Sequence, residues 1–151
     1  MILNHRELIE ILPLKELYTR YGGHKRLKVF ATKGRCCIIC EREGVLLLVT
    51  VGVNGDRHVD LYTEDFVLMT VDHTMPKSIA RKLGWTRSEI ESLDNKQPMC
   101  EHCNGAKGNE VISDDEYRER RMKYWKPIRK EGVEVIRSLV YNNNIFDRSL
   151  A

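Results

Sequence analysis

Two Cys-x-x-Cys pairs, Cys37/Cys40 and Cys100/Cys103, bracket an Asp72-His73 step, and the second pair runs directly into Asn104 and then Lys107. Four thiolates in two such knuckles suit a tetrahedral zinc ion, because each knuckle offers two sulfurs from one turn of chain. Two chance pairs of buried cysteines are the plainer alternative, since a free cysteine behaves as a small hydrophobe; the matched spacing argues against it. The long interval between Cys40 and Cys100 means that such a site staples distant segments rather than closing one short loop. Cys36 is a fifth thiol that could take the place of Cys37, and His102 inside the second knuckle is a weaker competitor. A metal held by four thiolates has no open coordination position, so it shapes the fold and any chemistry sits elsewhere. The odd cysteine count, with a start unlike a signal peptide, argues against a disulfide framework and for a reducing, cytoplasmic setting.

The chemistry-bearing residues need elements to position them. Residues 66–71 are an apolar, β-branched run that predicts a strand with Asp72-His73 at its end. Residues 95–99 form a short extended segment, because Pro98 blocks a helix there. The stretch after Cys103 predicts a brief helix, on which Asn104 and Lys107, three apart, share a face. Residues 45–53 and 58–62 flank Asn54-Gly55, the strongest short turn signal, and predict a β-hairpin. Between Ser78 and Asn95, residues 80–85 are followed by Thr86-x-x-Glu89, a capping box that starts a small helix at Arg87. Residues 3–11 predict an amphipathic helix (Leu3, Leu8, Ile9 and Leu12 apolar), with a second turn or helix over 14–21 ended by Gly22-Gly23. Ser113-x-x-Glu116 is a further capping box, opening a C-terminal helix broken near Pro127 and resumed to about Val140.

Three blocks taken together resemble the HNH (His-Me finger) nuclease family: Asp72-His73-Thr-Met-Pro-Lys-Ser78, Asn95-Lys-Gln-Pro-Met-Cys100 and Cys103-Asn-Gly-Ala-Lys-Gly-Asn109. The resemblance covers about residues 34–112. Two features depart from the commonest form: the last position of the triplet is Asn104, and the stretch from Ser78 to Asn95 is long. The resemblance implies an α+β fold in one domain spanning residues 1–151. Its core would be a ββα-metal finger braced by the zinc knuckles, with a β-hairpin insertion and helical flanks at 1–33 and 113–151.

It also implies metal-assisted hydrolysis of phosphodiester bonds. His73 would be the general base, Asp72 and Asn104 would hold one divalent cation, and Asn95 would orient the His73 ring. The physical logic stands beside the resemblance. A phosphodiester is anionic and repels hydroxide, so a cation must neutralise developing charge while a base near neutrality makes the nucleophile. Imidazole has the unperturbed pKa for the second task. One carboxylate and one amide oxygen form a hard, under-filled ligand set, which favours Mg²⁺ or Mn²⁺. Taken singly, Asp72-His73 could be a surface turn and Asn104 a helix N-cap.

Charge distribution points to the partner. The formal net charge is only +3, but residues 15–35 carry seven Lys/Arg against Glu16 alone, and residues 118–130 carry seven against Glu119 alone. Basic segments flanking such a centre suit a phosphate backbone, although solvated helix faces are the commoner fate of charge runs. Lys107, Lys77, Arg81 and Lys82 are the candidate phosphate contacts nearest the motif. DNA is expected ahead of RNA. No apolar stretch is long enough to cross a membrane. Two rivals remain: a zinc-stabilised nucleic-acid-binding module in which residues 79–93 plug the groove, and a protein-interaction module reusing the fold.

Overall fold

The computed structural model describes residues 1–108 and, beyond them, residues 115, 116 and 119. The C-terminal helix expected from Ser113 and the basic segment 118–130 lie largely outside the described residues. Within them, strands and short helices are mixed, as an α+β reading requires. Strands β1 (Ile2–Leu3), β2 (Arg6–Leu12), β3 (Gly44–Val51) and β4 (Arg57–Thr63) form one antiparallel sheet in the order β1-β2-β3-β4.

The helix expected over residues 3–11 is therefore corrected to a strand hairpin. Asn4 and His5 have φ of 50° and 65°, and Leu3 pairs with Arg6 across them. Two consecutive positive-φ residues make the turn whose twist matches antiparallel strands, and asparagine tolerates that conformation. The spacing of Leu3, Leu8, Ile9 and Leu12 did not separate a helical period from an alternating one. The ladder to β3 decided it, with Leu12 opposite Leu47. A 3-10 turn at Leu14–Leu17 and helix α1 (Leu27–Lys33) follow. No helix was expected at α1. It buries Leu27, Val29 and Phe30 while Lys28 stays exposed.

The hairpin around Asn54-Gly55 is present, with Gly55 at φ 79° in the turn. It is not a separate insertion, because β3 lies between β2 and β4 and its residues 46–50 are buried. A second, two-stranded sheet pairs β5 (Met69–His73) with β6 (Lys96–Cys100), setting Asp72 opposite Gln97 and His73 opposite Lys96. Helices α2 (Lys77–Lys82) and α3 (Arg87–Ile90) occupy the connection. The Thr86 capping box forms as expected: its hydroxyl accepts from Glu89 N at 3.1 Å, and Glu89 accepts from Thr86 N at 3.0 Å. Helix α4 (Glu101–Lys107) follows β6 directly, with Cys100 as its N-cap.

The main core gathers Phe30 from α1, Leu47 and Leu61 from the large sheet, and Met69 and Met99 from the hairpin. Cys37, Cys100 and Cys103 belong to the same cluster. Burial of these side chains, each worth about 1.5–3 kcal/mol for the larger ones, ties the β5-β6-α4 unit to the large sheet.

Candidate functional site

The four cysteines of the two knuckles converge. Their sulfurs all lie within 4.8 Å of one another, and Cys40 Sγ is 3.7 Å from Cys100 Sγ. Four sulfurs at about 2.3 Å from a tetrahedral metal stand about 3.8 Å apart, so the cluster is positioned to hold a metal ion. Local backbone makes this possible. Glu41, just past the first pair, has φ 64°, its N–H donating to Cys37 O at 2.9 Å, and Cys37 N donates to Arg42 O at 2.8 Å. In the second knuckle Cys103 N points at Cys100 Sγ at 3.5 Å. The choice between Cys36 and Cys37 is settled by burial: Cys37 is buried in the cluster, whereas Cys36 is exposed and outside it. Hydrogen bonds from Cys100 and Cys103 hold the Cys37 thiol down to about 6, while Cys100, Cys37 and Cys40 together push Cys103 up. Thiols this crowded cannot all ionise without a cation among them.

Asp72 and His73, neighbours on β5, meet different surroundings. The Asp72 carboxylate is buried, at 5% exposure, and faces α4. Its Oδ2 accepts from Lys107 Nζ at 2.5 Å and from Gln97 Nε2 at 2.9 Å. Asn104, one turn earlier on α4, donates from Nδ2 to Thr70 Oγ1 at 2.8 Å. Thr70 and Asp72 share a face of β5, just as Asn104 and Lys107 share a face of α4. The helix thus lies along the strand with two polar pairs in register.

Lys107 is corrected as a phosphate contact. Its side chain is 0% exposed, and Nζ also donates to the carbonyls of His73 and Thr74 at 2.7 and 3.4 Å. It is an internal strut. Breaking a buried ion pair by removing one partner costs about 3–5 kcal/mol. Lys107→Met should therefore lower the unfolding free energy by about that amount in denaturant titration, and a fall below about 1 kcal/mol would show the pair to be dispensable.

Asn95 does not touch the His73 ring. Its Oδ1 accepts from Met75 N at 2.8 Å, and its Nδ2 donates to Ile90 O at 2.9 Å and Met75 O at 3.2 Å. The expected ring contact is replaced by a backbone clamp between the turn after His73 and the end of α3. The ring instead meets Glu91, with Nε2 3.4 Å from Oε1 and 3.5 Å from Oε2. Lys77 and Lys96 also pair with Glu91, at 3.4 and 3.3 Å. Partial burial would push the Glu91 carboxyl up, but the Lys96 ammonium, the His73 ring and Lys77 outweigh it and hold it at about 2.

His73 opens onto a cleft of about 440 Å³ carrying five cationic side chains, Lys25, Arg26, Lys77, Arg87 and Lys96, against Asp60 and Glu91. A neighbouring cleft of about 680 Å³ shares Lys25, Arg87, Glu91 and Lys96 and adds Lys28. The first basic segment is thereby brought to the His73 face, by way of α1 and the loop before it. Of the expected phosphate contacts, Lys77 lines the cleft, whereas Arg81 and Lys82 are exposed further along α2 and do not. Arg87, Glu91, Lys96 and Gln97 were missed in the sequence. Pairing 95–99 against the Asp72 strand would have exposed the last two, because the register sets them opposite His73 and Asp72. No helix of the described residues is long and apolar enough to cross a membrane.

Comparison with known proteins bears on the same stretch. Residues 56–110 match the family model described as HNH endonuclease; this span runs from the start of β4 past the end of α4 and leaves the first knuckle outside. Neither the curated proteins nor the solved structures gave a match. Over residues 56–110 the chain is similar to the HNH endonuclease family, and a cysteine cluster completed by Cys37 and Cys40 from outside that span is positioned to hold a metal ion.

Proposed function

We propose that this protein is a metal-dependent endonuclease that hydrolyses phosphodiester bonds in DNA, with His73 as general base. The observation that carries the reading is the position of His73: an imidazole at the end of β5, opening onto a cleft lined by five cations, in a segment matching the HNH family. A cationic cleft concentrates an anionic backbone, and an imidazole at its wall can take a proton from water.

Zinc is the ion we assign to Cys37, Cys40, Cys100 and Cys103, since the sulfur spacing suits a tetrahedral thiolate site. Such a site, and the thiols themselves, require a reducing compartment, which favours the cytoplasm. For the second cation we keep Asp72 and Asn104. Both donors reaching Asp72 go to Oδ2, and Asn104 spends its amide N–H on Thr70. The oxygens left for a ligand are Oδ1 of Asp72 and Oδ1 of Asn104, a hard pair suited to Mg²⁺ or Mn²⁺. When bound, the cation would supply charge neutralisation at the scissile phosphate. Gln97 and Lys107 orient the carboxylate, Thr70 orients the amide, and the cleft lysines and arginines hold the flanking phosphates.

Nicking of supercoiled plasmid with Mg²⁺, abolished by chelator, tests the reading. Absence of cleavage on plasmid, linear, branched and single-stranded DNA and on RNA, with either divalent ion, would leave only a binding module. The cleft makes a separate prediction. DNA affinity should fall steeply with salt, and replacing Lys25 and Arg87 together by alanine should flatten the log–log salt slope by about one for each phosphate no longer neutralised. An unchanged slope would move the binding surface elsewhere.

A further inference from the structure

The ring of His73 needs an orienting partner, and Asn95 is committed to the backbone of Met75 and Ile90. We infer that Glu91 is the positioning residue for His73: its carboxylate accepts from Nε2–H, leaving the Nδ1 lone pair for the attacking water. The inference rests on the nuclease reading and assigns a role to the long segment between Ser78 and Asn95, of which Glu91 is part.

Three observations support it. First, both carboxylate oxygens lie at nearly equal distance from Nε2, 3.4 and 3.5 Å, so Nε2 is the ring atom set against the carboxylate. These distances exceed a formed hydrogen bond, as is common before substrate tightens a site. Second, Lys77 and Lys96 flank the carboxylate, one on each oxygen, which keeps it charged and fixes its direction. Third, the backbone on both sides is clamped by one side chain. Asn95 grips Met75, two residues past His73, and Ile90, the residue before Glu91. The Thr86 capping box sets the start of α3, so Glu91 is fixed at the helix end.

The proton moves in one step. It passes from the water to Nδ1, Nε2 keeps its own, and Glu91 stays a carboxylate facing the imidazolium that forms. A fixed negative charge beside a cation that develops only in the transition state lowers the barrier. The competing idea, that Glu91 is a plug occupying the phosphate position, makes the opposite kinetic prediction.

Glu91→Gln and Glu91→Leu separate them in plasmid nicking with Mg²⁺. A carboxylate that orients a histidine through its second nitrogen contributes about 10–100-fold, so kcat should fall about 10-fold in Glu91→Gln and about 100-fold in Glu91→Leu. KM should stay level or drop, because the cleft loses a negative charge. A kcat that holds or rises would overturn the inference in favour of the plug, and a higher KM with a lowered Tm would reduce Glu91 to a scaffold residue. The ¹⁵N spectrum of the neutral His73 ring is the second readout: wild type should show the Nε2–H tautomer and Glu91→Leu a mixture. An Nδ1–H ring in wild type would refute the pairing. This spectrum decides the point even if wild type cuts nothing, an outcome that would instead sink the nuclease reading.

Discussion

His73→Ala should cut the rate of DNA cleavage by about 10²- to 10⁴-fold, the range for loss of a positioned general base, while leaving the melting temperature and metal content at their wild-type values. The second half of this expectation follows from where the side chain sits. The imidazole is 18% exposed and its approach to Glu91 is long, so truncation opens the cleft wall rather than a core cavity. The bonds through which His73 helps to hold β5 in place use its backbone: His73 pairs with Lys96 across the hairpin, and its carbonyl accepts from Lys107 Nζ. Alanine preserves both. Glu91 is not left buried and unpaired either, since Lys77 and Lys96 remain beside it. Cleavage at the wild-type rate would remove His73 as the base, and a fall in melting temperature matching the fall in rate would show a structural role instead.

Cys40→Ser, or stripping the metal with chelator, should collapse the knuckle end of the molecule. The first knuckle meets β6 through the Ile38 N to Pro98 O hydrogen bond, 3.2 Å, and through the sulfur cluster. Cys37, Cys100 and Cys103 sit inside the main core, so losing the metal leaves crowded thiols there and frees the segment that leads into β3. Structural zinc contributes apparent binding free energies of about 10–16 kcal/mol in small fingers, comparable to the whole stability of a domain at about 5–15 kcal/mol. Differential scanning calorimetry should show a fall in Tm of more than about 10 °C, larger than the shift from a single surface change, with bound zinc lost by elemental analysis. Cys36→Ser is the matched control, because Cys36 is exposed and outside the cluster; zinc and Tm should both hold. Retained zinc and an unshifted Tm in Cys40→Ser would refute the four-sulfur site.

The two variants probe different levels of the molecule. One removes the proposed base from a scaffold that does not need it, and the other removes the scaffold from an imidazole that is chemically intact.

Much of this was legible in the chain before any fold was known, and for a common reason. The Cys-x-x-Cys turns, the Asn54-Gly55 turn, the Thr86 capping box and the strand that ends on Asp72-His73 are each specified within a few residues, where backbone geometry and local hydrogen bonds dominate. They formed, although the last of them runs Met69–His73 and does not begin at Phe66, which closes a turn at φ 61°. The N-terminal segment failed because its apolar spacing was compatible with two periods, and the partner that chose between them, β3, lies some forty residues away. Lys107 and Asn95 failed differently. Their residue types were noticed, but a lysine reaching solvent and a lysine buried against a carboxylate look alike in one dimension; Asp72 is 35 positions from Lys107. Sequence alone thus determined which groups are available for metal and acid–base chemistry, and which short turns present them. Tertiary structure alone decided what each group faces: a helix face for Asp72, a cationic cleft and Glu91 for His73, the protein interior for Lys107. The division is physical, since side-chain identity and short-range torsional preference travel with the residue, while burial and ionic pairing belong to surfaces that exist only once distant segments have packed.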